Sequence, residues 1–290
     1  MFSVDVIMQG LITGILIGFI YALITSGFTI IMGVMNVVNF AHGNFVMMGM
    51  YIAYSLGIAY GTDPFVSVGV AAPFMFAFGV VVYFLLIRPI LGRPQYGQMM
   101  MTFGLLIIIE NVVIWIFGGE FRSLTTSYTT AAIPIGGVRI GMAPLYAAGA
   151  AVVILAGLFL FLYRTDFGRA VRACADDPEG AQGVGINPNK VFYIAFAGGS
   201  ALAGIAGSIV MPFQVCSPSS GVDAVIKAFV IIVVGGLGSV PGALAGGLII
   251  GVTESVTSVL WSPAFANVVV FAILITVVAW KPSGVFSRGR

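Results

Sequence analysis

The chain has 290 residues, of which 60% are hydrophobic and 8% charged, and its formal net charge is +2. Soluble domains average about 45–50% apolar and about 25% charged residues, so this composition belongs to a protein dissolved in a bilayer. The near-neutral balance leaves no basic stripe for nucleic acid and no acidic tail for cationic partners. Two cysteines, Cys174 and Cys216, are too few for a disulfide framework and read as free thiols on opposite membrane faces.

A helix needs about 20 apolar residues to cross the hydrocarbon core. In chain order this predicts spans near 6–34, 37–60, 64–87, 98–118, 143–163, 190–212, 223–236, 241–260 and 265–281. The first has no Lys or Arg ahead of it and no small-residue cleavage site, and reads as a retained span rather than a signal peptide. The 223–236 segment is short for a regular crossing, so the count is eight or nine, with residues 235–242 completing that passage if it is broken. The fold expected is all-α, a polytopic helical bundle forming a single domain over residues 1–290. Gly10, Gly14 and Gly18, Gly242 and Gly246, and Gly247 and Gly251 recur at every fourth residue, the small faces that let helices pack closely in lipid.

Basic residues give the orientation. Arg88, Arg93, Arg164, Arg169, Arg172, Lys190, Lys281, Arg288 and Arg290 fall on one face if the spans alternate, whereas the opposite loops, 119–142 and 213–222, carry only Arg122 and Arg139. The nine-residue group marks the cytoplasmic face, with the C-terminus inside and, for nine crossings, the N-terminus outside.

Several polar groups lie where lipid would penalise them. Asn36, Asn39, His42 and Asn44 cluster in NVVNFAHGN between two apolar runs. Two readings stand: a gate or pathway lining, whose amides and imidazole exchange partners as spans shift, or a turn satisfied by backbone and water. Glu110 and Glu254 lie inside spans, at about 2.5–3.5 kcal/mol or more for a mid-membrane charge, and must face protein or a cavity. Asp223 and Lys227, at i and i+4, are expected to pair on one helix. The single histidine and two distant cysteines support no metal site, and no G-x-S-x-G elbow supports a hydrolase.

The connection RTDFGRAVRACADDPEGAQGVGINPNK, residues 164–190, is longer and more polar than a helix-to-helix link requires. Asp177 is a natural N-cap, Pro178 suits the first helical position, Glu179 the first turn, and Gly183 and Gly185 are stopping points. A short helix on the cytoplasmic surface is the prediction, with a solvated hairpin as the alternative. In 235–243, GGLGSVPGA predicts a tight turn with Pro241 opening the next helix.

Three ordered stretches carry a resemblance: GFIYALITSGFTIIMGVMNVVNFAHGNFVMMGMY, GRAVRACADDPEGAQGVGINPNKVFYIAFAGGSALAGIAGSIV and VVGGLGSVPGALAGGLIIGVTES. They resemble the H-type permease subunits of branched-chain amino acid ABC importers, the LivH-like family. The resemblance implies a type II importer permease fold in a bacterial inner membrane. It makes the 164–190 loop a coupling element docked on a cytoplasmic ATPase through Arg172, Ala173, Asp176, Asp177, Pro178, Glu179 and Ala181, and puts residues 235–243 near the cytoplasmic gate. It also implies a second, related permease subunit in a heterodimer, two ATPases that bind ATP and Mg, and an external solute-binding protein. The cargo implied is a branched-chain or other hydrophobic amino acid, with urea, amides and aromatic or steroid acids handled by close relatives. This chain has Asn44 where an acidic residue commonly follows His-Gly in the family, and it lacks the G-x-x-x-x-G-K-[ST] loop of an ATPase, so it holds no cofactor of its own. The competing function is a stand-alone ion-coupled transporter or channel in which Glu110, Glu254 and His42 carry protons or ions.

Overall fold

In the computed structural model, residues 4–281, Gly284 and Val285 are described; Arg288 and Arg290 of the basic group lie outside them. Among the described residues nine helices run between two faces of a bundle: α1 (Val4–Met35), α2 (His42–Tyr60), α3 (Pro64–Val82), α4 (Gln95–Phe117), α5 (Met142–Arg164), then after two short helices α8 (Pro188–Val210), α9 (Ser220–Gly235), α10 (Val240–Leu260) and α11 (Pro263–Trp280). The short helices, α6 (Asp166–Asp176) and α7 (Pro178–Gly183), lie at what we term the lower face. The upper face carries an antiparallel hairpin, β1 (Ala132–Ile135) and β2 (Val138–Gly141).

Named contacts fix the alternation. Gln9 near the start of α1 donates to the Arg139 carbonyl and accepts from the Arg139 N–H, both at 2.8 Å, which sets that end beside the hairpin. Tyr128 donates to Asp63, the N-cap of α3, at 2.8 Å, and Arg122 and Cys216 exchange backbone hydrogen bonds, so the 61–63, 118–131 and 211–219 connections all share the upper face. At the other end Gly238 meets Gly33, and the Val285 N–H donates to the Val234 carbonyl at 3.0 Å. Seven of the nine helices are long and apolar enough to span a bilayer. The other two are α2, which opens on His42, Gly43 and Asn44, and α9, whose 16 residues reach about 24 Å.

Glycine packing makes the central seam. A Cβ on Gly10, Gly14 or Gly18 would lie 3.1, 2.6 or 2.8 Å from the Cα of Val256, Val252 or Leu248, an antiparallel register stepping by four along both α1 and α10. Gly251 and Gly247 close the same seam from α10, against Gly18 and Ala22, while Gly246 meets Ile231 and Gly235 of α9. Without a hydrophobic drive between helices in lipid, this close backbone approach supplies the dispersion that holds them. α1 and α8 are mostly buried, and α4, α5 and α11 present Trp115, Val153 and Ile275 outward.

The all-α helical bundle expected from the sequence is what the structure shows, and it differs from the expectations in three details. Ala132–Gly141 adds a small hairpin, paired through a turn at Gly136, whose φ is 61°. The 164–190 connection holds two helices rather than one. α2 begins at His42, not 37: Asn36 takes a left-handed φ of 54°, a conformation asparagine tolerates better than most, and the chain stays non-helical to Ala41.

Replacing Gly251 by valine should overpack the α1–α10 seam, costing about 1–3 kcal/mol and lowering the Tm of the detergent-purified protein. Gly104→Ala, at a position open to at least 4 Å, should leave Tm unchanged.

Candidate functional site

The α6–α7 unit is built to be stiff at its base and open at its tip. Thr165 caps α6 through the Gly168 N–H at 3.0 Å, and Asp177 caps α7 through the Glu179 N–H at 3.0 Å, with Pro178 in the first turn. Asp176, Asp177, Pro178 and Glu179 are exposed, Ala173 is half-buried and Ala181 is buried. Arg172 is folded back: its guanidinium donates to the Leu162 carbonyl and stacks 4.9 Å from the Tyr163 ring centroid. It fastens α6 to the end of α5. Cys174 and Val171 are buried on the same amphipathic helix. Pro178, Glu179, Gln182, Ile186, Asn187 and Asn189 line a shallow surface groove beside the tip.

The second cluster is a polar turn sunk in the bundle. Asn39, His42 and Asn44 are each 0% exposed. Asn39 accepts from the Ala41 N–H at 3.1 Å, Asn44 donates to the Leu106 carbonyl at 2.7 Å, and Thr102 donates to the Val38 carbonyl at 3.0 Å and accepts from the Phe40 N–H. His42 Nε2 lies 3.0 Å from the Ile24 carbonyl, and its ring stacks 5.3 Å from Phe28. These contacts replace water for backbone groups that no helix pairs. Asn36, at the start of the non-helical stretch, is exposed. Asn39 Nδ2, His42 Nδ1 and Asn44 Oδ1 have no hydrogen-bond partner, so the turn retains unspent donors and acceptors.

The third cluster joins three helices. Lys227 on α9 donates to Glu254 of α10 at 2.6 Å and to the Tyr21 hydroxyl of α1 at 2.8 Å, and Tyr21 donates to the other Glu254 oxygen at 2.9 Å. The expected Asp223–Lys227 pair is therefore not formed. Glu254, across the interface, takes Lys227 at 2.6 Å while its other oxygen is held by Tyr21, and Asp223 is exposed and makes no ion pair among the described residues. Glu110 is half-buried on α4 and makes no hydrogen bond or ion pair among the described residues, so no contact joins it to Glu254 or His42.

Cys174 and Cys216 are both free and buried, and burial pushes the Cys216 thiol up to about 12. Among the described residues no three His, Cys, Asp or Glu side chains converge as metal ligands.

Comparison with known proteins decides the class. The family described as "Branched-chain amino acid transport system / permease component" matches residues 10–278. The chain belongs to this permease family. It is 32% identical to the high-affinity branched-chain amino acid transport system permease protein BraD of Pseudomonas aeruginosa over 97% of this chain and 96% of BraD. Identity to LivH of Escherichia coli K12 is also 32%, over the same shares. A shorter likeness, 36% over 44% of this chain, is to the xylose transport system permease protein XylH of Haemophilus influenzae. No solved structure matches the chain. As a member of this family it is a multi-pass membrane permease subunit of an ABC-type transport system and not an enzyme, and the stand-alone transporter reading gives way.

Sequence reasoning missed Tyr21, Thr25 and Thr102 altogether. Tyr21 was discoverable only through its spacing from Glu254 in the folded bundle, 233 residues apart in sequence. Lys227→Ala should leave Glu254 uncompensated and destabilise the protein by about 3 kcal/mol, the low end for a broken buried pair because both groups keep some exposure. Lys227→Met with Glu254→Gln should recover most of the Tm lost.

Proposed function

We propose that this subunit carries branched-chain or other hydrophobic amino acids inward across a bacterial inner membrane, driven by partner ATPases that grip α6 and α7. The observation that carries the coupling role is the pairing of a fixed base with an exposed acidic tip. Arg172 anchors α6 to α5, and Asp177 caps α7 while Glu179 faces solvent. A short helix fixed to two long ones transmits displacement as a rigid body.

The lower face is the cytoplasmic one in this reading, with the C-terminus inside and the N-terminus outside. It bears Arg88, Arg93, Arg164, Arg169, Arg172, Lys190 and Lys281, against Arg122 and Arg139 on the upper face, and short basic loops stay on the cytoplasmic side. An external binding protein delivers the solute to the hairpin face. Two ATPases, holding ATP and Mg, dock below, and a second, homologous permease completes a heterodimer. Residues 1–290 form one permease domain, with 164–190 its coupling element through Ala173, Asp176, Asp177, Pro178, Glu179 and Ala181. Arg172 acts in it as an anchor rather than a contact.

Asn36, Asn39, His42 and Asn44 serve as the gate, because a break between α1 and α2 that keeps unpaired polar atoms can re-pair when the helices move. Glu254 acts there through Lys227. Glu110 is retained as a pathway candidate on its cost in lipid alone.

Glu179→Arg should strip most of the ATPase from the affinity-purified complex while the permease remains in the membrane. Asp177→Ala, which removes a cap of about 1 kcal/mol, should weaken capture in part. Undiminished ATPase capture and uptake by Glu179→Arg would contradict the assignment. Arg172→Glu should instead lower Tm, since it opens the α5–α6 junction.

A further inference from the structure

Between α1, α2, α8 and α9 lies a cavity with room for about 50 Å³ of solvent, and about 520 Å³ of space once its open mouth is counted. The enclosed room is well below the about 300–1,000 Å³ of small-molecule sites, so a solute enters this cavity only as its walls part. Gln214 and Asp223 are exposed at its mouth, on the upper face, and Lys227 and Tyr21 lie deeper. Apolar walls come from Ile24, Val46, Met50, Val210, Ala228 and Ile231.

The charges inside are unequal. Lys227 spends two of its three N–H donors on Glu254 and Tyr21, which leaves one. Thr25, one helical turn from Tyr21 on the same side of α1, is 0% exposed, lines the cavity, and has a hydroxyl with no hydrogen-bond partner. A buried hydroxyl left unpaired is costly, and a ligand oxygen at this place would satisfy it. Asp223, one turn along α9 from Lys227, carries the one charge in the cavity that no neighbour offsets, because Glu254 already balances Lys227.

We propose that this cavity is a binding station for an aliphatic α-amino acid zwitterion, its ammonium on Asp223, its carboxylate on the Lys227 and Thr25 donors, and its side chain against the apolar wall. The inference rests on the amino acid transport reading and deepens it by naming the site. A carboxylate without an ammonium would meet Asp223 with nothing to offset it. An amine without a carboxylate would leave the Thr25 hydroxyl unpaired. Only the zwitterion answers both ends.

The test uses the assembled importer in proteoliposomes with a Gln214→Cys substitution at the mouth, since Cys174 and Cys216 are buried and react slowly. Alkylation of Cys at 214 should slow at least about threefold with millimolar L-leucine, and stay unchanged with 4-methylpentanoate or isoamylamine. Asp223→Asn and Thr25→Val should each raise the leucine KM for uptake about tenfold or more, while the ATPase subunits co-purify as in the wild type. Thr25→Ser should restore the wild-type KM, a rescue that a packing role for the threonine methyl would not give. No protection by leucine, or equal protection by 4-methylpentanoate, overturns the zwitterion site, as do wild-type KM values in both variants. Should a variant fail to assemble, the protection assay still decides. Absence of leucine uptake by the unsubstituted complex would instead strike at the transport reading itself.

Discussion

A lysine on a helix too short to cross a bilayer has to be neutralised inside the protein, and the way this chain does so organises everything around it. Lys227 sits on the 16-residue α9 and reaches Glu254 of α10 and Tyr21 of α1. Those two helices can both stand within reach only because glycines let α1 and α10 approach backbone to backbone from Gly10 to Gly18. Replacing the close seam by bulkier residues would separate Tyr21 from Glu254, and the lysine would lose its partners before it lost its burial. The packing seam and the cavity thus meet at one place, since two of these three side chains, Tyr21 and Lys227, line the cavity.

The bundle has two unusual passages, and they face each other. α2 begins inside the protein, behind a buried non-helical stretch, and α9 ends early; Gly43 of the one packs directly on Gly221 of the other, and Asn44 abuts the same glycine. Irregular backbone at membrane depth is tolerated where protein satisfies it, as Asn39, Asn44 and Thr102 do here. Two shortened helices thus meet glycine to glycine, beside a non-helical stretch at residues 36–41. At the lower face the α6–α7 unit is held in a different way, by caps and an arginine on a carbonyl, and resists bending. Stiffness at the base and an irregular stretch within the bundle are what the proposed coupling from the lower face would require.

Much of this was legible in the sequence because the lipid constraint is severe. Hydropathy placed the long helices within a few residues, and the two segments it described least well, 37–60 and 223–236, are the two that depart from regular spans. Asp177-Pro178 announced α7 because capping is a local matter. Glycines at every fourth residue announced close packing but not its partners, since spacing along one helix carries no information about the other. The Asp223–Lys227 expectation failed for the same reason: an i,i+4 rule weighs neighbours on one helix, and Glu254 came from 27 residues away with tyrosine support. The hairpin at 132–141 escaped notice because a pair of four-residue strands leaves little pattern beside so much helix. Family membership, by contrast, was readable from three separated stretches, because their order and spacing span the chain.

The central claim is that this bundle moves amino acids only when partner ATPases act on it from the α7 face. Uptake of radiolabelled L-leucine into proteoliposomes holding this subunit, its partner permease and the ATPases, with the binding protein outside and nucleotide inside, tests that most directly. The account predicts accumulation with ATP and Mg enclosed, and none with ADP or with the ATPases omitted. Accumulation by the permease without ATPase or ATP would contradict it.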